Sequence, residues 1–83
     1  MCMMIKEGAR EVLDMIKEKL EKGELVYEDR ETRDLLEEYQ NELELVIHKN
    51  GIWTLDVIIN DRLVRFGIEY SLESNKYVIY VEA

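Results

Sequence analysis

The chain has 83 residues, 19 of them acidic and 11 basic, for a formal net charge of −8 at pH 7. That length makes one small domain whose core is thin without a second layer. The acidic balance argues against direct nucleic-acid binding, which needs a basic surface to displace counterions. One cysteine, Cys2, leaves no internal disulfide to form and fits a reducing, cytoplasmic setting.

The charge is unevenly placed. Residues 1–44 hold 14 acidic and 7 basic side chains, and residues 45–83 hold 5 and 4. Acidity therefore belongs to the first half. No run is apolar enough to span a bilayer, and the opening Met1-Cys2-Met3-Met4-Ile5 meets Lys6 and Glu7 at once, unlike a signal peptide.

Ile5, Ala9, Val12, Leu13, Ile16 and Leu20 recur at helical spacing and predict a helix over about residues 3–22, stopped by Gly23. Arg10–Asp14 and Glu18–Lys22 sit four apart and suit helical ion pairs. Leu25-Val26-Tyr27 reads as a short edge strand or as a connector tucked against the core. Asp29, or alternatively Thr32, caps a second helix over about residues 30–41. Its buried stripe is Leu35, Leu36 and Tyr39, with Leu43 a further candidate, and its outside carries Glu31, Asp34, Glu37, Glu38 and Glu42.

From residue 43 the period changes to two, the signature of strands with one buried face. Strands are expected over about 43–48, 52–59, 62–72 and 77–82. In the middle hairpin Asn60-Asp61 suits a two-residue turn with positive φ. It sets Ile59 against Arg62, Val57 against Val64 and Leu55 against Phe66, with Asp56 meeting Arg65 on the other face.

The first hairpin has two solutions. A two-residue Asn50-Gly51 turn would put Leu45 against Asp56. A three-residue loop with Gly51 left-handed pairs Ile47 with Trp53 and Leu45 with Leu55, and its matched pairs favour it. A last turn at Ser74-Asn75 pairs Leu72 with Tyr77, Tyr70 with Ile79 and Ile68 with Val81. The expected fold is α+β: two amphipathic helices on the inner face of a four-stranded antiparallel meander. Tyr70, Leu72 and Tyr77 then count among the inner, core residues.

Chemistry is harder to find. His48 has no second histidine or neighbouring cysteine for metal or nucleophile work, and reads as a strand residue. Cys2 has no local base. The carboxylates of residues 28–42 lack the spacing of a calcium loop and are interleaved with Arg30 and Arg33. No phosphate-cradling glycine run and no serine nucleophile motif is present. The expectation is a non-enzymatic protein with no cofactor and no metal.

Two surfaces remain. The outer sheet face carries Val46, Ile52, Ile58, Leu63, Val78 and Tyr80, more apolar than solvent requires, and suits a protein partner, most simply a second copy. The acidic outside of the second helix could instead meet a basic site on another protein, as an inhibitor or nucleic-acid mimic would. A small enzyme with a site formed across a dimer is the weakest reading.

Overall fold

The computed structural model describes the backbone of residues 3–82 and the side chains of residues 8–82. Cys2 and the side chain of Ile5 lie outside the described residues. In chain order the elements are β1 (Met3–Ile5), α1 (Lys6–Glu21), β2 (Leu25–Tyr27), α2 (Arg30–Tyr39), β3 (Glu44–Ile47), β4 (Trp53–Ile59), β5 (Arg62–Ser71) and β6 (Lys76–Glu82). The described strands form one six-stranded sheet in the order β1-β3-β4-β5-β6-β2.

The expected meander is therefore the centre of a wider, mixed sheet. β1 adds to β3 antiparallel, with Met4 opposite Val46, and β2 adds to β6 parallel, with Val26 opposite Val78. Residues 3–5 were expected in the first helix. An apolar tripeptide fits either period, and the open edge of β3 offers it a ladder. Of the two readings of Leu25-Val26-Tyr27, the strand is the one that forms.

Chain geometry explains why β1 and β2 occupy opposite edges. α1 has 16 residues, or about 24 Å of helix at 1.5 Å each. Five strand spacings of about 4.8 Å give nearly the same width. One helix thus carries the chain across the inner face from edge to edge. Glu24 O accepts from Tyr77 N and Ile79 O accepts from Glu28 N, which fastens β2 at both ends. α2 then starts at Asp29, whose carboxylate accepts from Thr32 N and Thr32 Oγ1, both at 2.8 Å. These bonds hold the Asp29 carboxyl below the usual carboxylate range. Of the two expected helical ion pairs Glu18–Lys22 forms, at 2.9 Å, and Arg10–Asp14 does not.

The core lies between the helices and the inner sheet face. Ala9, Leu13 and Ile16 of α1 and Leu36 of α2 pack with Leu25, Leu43, Leu55, Val57, Phe66 and Ile79. A fully buried side chain of this size contributes about 1.5–3 kcal/mol before chain entropy is subtracted.

The first two hairpins have the expected registers. Ile47 faces Trp53 with Gly51 at φ +86°, and Val57 faces Val64 across Asn60 (φ 51°) and Asp61 (φ 63°). The last hairpin differs. Tyr70 faces Tyr77, Ile68 faces Ile79 and Phe66 faces Val81, a slip of two residues from the expected pairing. Residues 72–75 form a four-residue loop, with Asn75 supplying the positive φ of 56°. A slip of two keeps every side chain on its face, so alternation could not detect it.

The slip has a consequence for the core. Leu72 enters the loop at 84% exposure, while Tyr70 and Tyr77, stacked edge to face with centroids 5.1 Å apart, are also exposed. These three are not core residues. The β5–β6 hairpin extends past the ground that two short helices cover.

Candidate functional site

Neither helix lies on the outer face of the sheet, yet the middle of that face is not open. Val46, Thr54 and Asp56 are buried there, Asp56 at 5% exposure. Period two puts Thr54 and Asp56 on one side of β4, with Val46 and Glu44 beside them on β3 and Arg65 on β5. Sequence reasoning places these residues together but treats Val46 as an exposed contact. It is instead packed into the sheet surface.

The polar groups are joined in a chain. Arg65 donates to Asp56 through Nε (3.1 Å to Oδ1, 3.2 Å to Oδ2) and Nη2 (2.9 Å to Oδ2). Thr54 Oγ1 donates to Asp56 Oδ1 at 2.8 Å, and His48 Nε2 lies 2.9 Å from the same hydroxyl. A hydroxyl has one proton, and Thr54 gives its proton to a carboxylate that can only accept. His48 Nε2 must therefore be the donor, which selects the Nε2–H tautomer or the imidazolium. The expected Asp56–Arg65 pair was legible from register. The reach of His48 to Thr54, a diagonal neighbour on the same face, was missed, although the first hairpin's register carries the signal.

Chemically this is a closed arrangement. Among the described residues no buried side-chain nitrogen or oxygen lacks a partner. The bidentate guanidinium–carboxylate pair fixes β4 against β5, and the hydroxyl bridge fixes β3 against β4. Thr54 is itself buried and points its proton at Asp56, so its hydroxyl is spent on structure. Among the described residues no three His, Cys, Asp or Glu side chains are grouped to hold a metal. Among the described residues no helix is long and apolar enough to cross a membrane.

Beside the chain lies a hollow of about 440 Å³, walled by Ile58 and Leu63, with Glu42 and Glu44 on the β3 side and Asp56 and Arg65 at its floor. Ile58 and Leu63 face each other in the ladder and are 64% and 47% exposed. Ile52, at the far end of β4, is exposed as well. Comparison with protein-family models, curated proteins and solved structures finds no match to this chain. The site must be judged on its own geometry.

Toward β6 the same face closes over. Gly67 lies opposite Tyr80, and a Cβ on Gly67 would stand 2.6 Å from the Tyr80 ring. Glycine here lets the ring lie flat across the strand. Tyr80 and Val78 are consequently half-buried. The Tyr80 hydroxyl donates to Glu69 at 3.4 Å, and burial followed by the Glu69 charge raises its pKa. Of the six apolar residues expected at an interface, three are exposed, two are half-buried and Val46 is covered.

The acidic surface is also built differently from a continuous stripe. Glu31, Asp34, Glu37, Glu38 and Glu42 are all exposed. Arg33 Nε and Arg30 Nε lie 3.6 and 3.8 Å from Asp34, so its charge is balanced locally. A second hollow, of about 400 Å³, opens between the helices at Leu13, Tyr27 and Leu36. Its mouth is bridged by Lys17 donating to Gln40, and burial raises the pKa of Tyr27 at its floor.

Proposed function

We propose that this protein acts by binding, as a small acidic interaction module, through the outer face of its sheet and as a homodimer. The observation that carries the reading is the exposed Ile58–Leu63 pair beside a hollow whose polar floor is already hydrogen-bonded. Covering such a surface gains apolar burial and strands no donor or acceptor. A lone buried charge would forbid this, whereas a paired and bridged one does not.

Charge distribution favours the sheet face over the helices as the meeting surface of two copies. Acidic groups cluster in residues 1–44, which contribute both helices on the inner side. Packing outer face to outer face keeps those two layers far apart.

Sedimentation equilibrium tests this directly. The wild type is expected to dimerise at micromolar concentration, and Ile58→Glu with Leu63→Glu should yield a monomer with unchanged circular dichroism. A wild-type protein that stays monomeric at hundreds of micromolar would overturn the homodimer.

A further inference from the structure

We draw no further inference here: the strongest candidate, the exposed apolar patch of Tyr70, Leu72 and Tyr77 at the tip of the β5–β6 hairpin, lies beyond the reach of both helices, and nothing in the structure shows what covers it.

Discussion

The inner and outer faces of the sheet come from the same strands and alternate residue by residue, yet they are held by different physics. Inside, Leu55, Phe66 and Ile79 are buried by two helices, and apolar area removed from water does the holding. Outside, no helix arrives, and the centre is buried only by its strand neighbours. There Asp56, Arg65, Thr54 and His48 hold three strands together by charge and hydrogen bonds. An apolar layer tolerates small changes of shape. A closed polar chain tolerates the loss of a member less well, because the partners keep the cost of their desolvation and lose a hydrogen bond.

The sharpest way to break that contrast is at Asp56. Asp56→Ala removes the carboxylate to which Arg65 and Thr54 donate. Breaking a fully buried pair costs about 3–5 kcal/mol. The Arg65 side chain keeps 32% of its exposure, so solvent should reduce the loss to about 2–3 kcal/mol. Replacing both members by apolar residues, Asp56→Leu with Arg65→Met, should cost less than Asp56→Ala alone. Urea unfolding at protein concentrations where the midpoint does not depend on concentration measures this. A double variant less stable than the single one would mean that the pair contributes more than mutual satisfaction.

A smaller effect is expected where the outer face is covered by one ring. Gly67→Ala puts a Cβ 2.6 Å from Tyr80, but the obstructing atoms are the movable end of the side chain. Displacing the ring and its bond to Glu69 should destabilise by about 1 kcal/mol. Once Tyr80→Ala has removed the ring, the same Gly67→Ala change should stabilise, since alanine is a better strand residue than glycine. Unfolding titrations on the four proteins of this cycle give the sign. The same sign in both backgrounds would show that Tyr80 is not what requires the glycine.

Much of this was legible in the sequence, for identifiable reasons. Asn60-Asp61 announces a turn of known length and matched apolar pairs choose between the two lengths open at Gly51, so β3, β4 and β5 could be registered, and the Asp56–Arg65 contact followed from that register. What was not legible belongs to short elements and to a slip of two, which leaves parity unchanged. β1 and β2 are three residues each, too short for a period to declare itself. α1 hides β1 because Met3-Met4-Ile5 continues its apolar start. Val46 is covered although neither helix lies over it, because it sits between neighbouring strands on both sides. An alternation pattern cannot foresee that.

The weakest expected effect probes the two-residue slip of the last hairpin. A turn confined to Ser74-Asn75 would make Leu72 a strand residue facing Tyr77 on the inner side. A buried leucine truncated there would cost about 2–5 kcal/mol. With Ser71 facing Lys76 instead, residues 72–75 belong to the loop, and Leu72 is 84% exposed. Leu72→Ser should then change stability by no more than about 0.5 kcal/mol, the range of a surface position. Asn75 predicts the companion result: with φ 56° it occupies the left-handed region, so Asn75→Gly should be tolerated and Asn75→Val should not. A large loss at Leu72 together with indifference at Asn75 would restore the two-residue turn, and with it a hairpin tip packed under the helices.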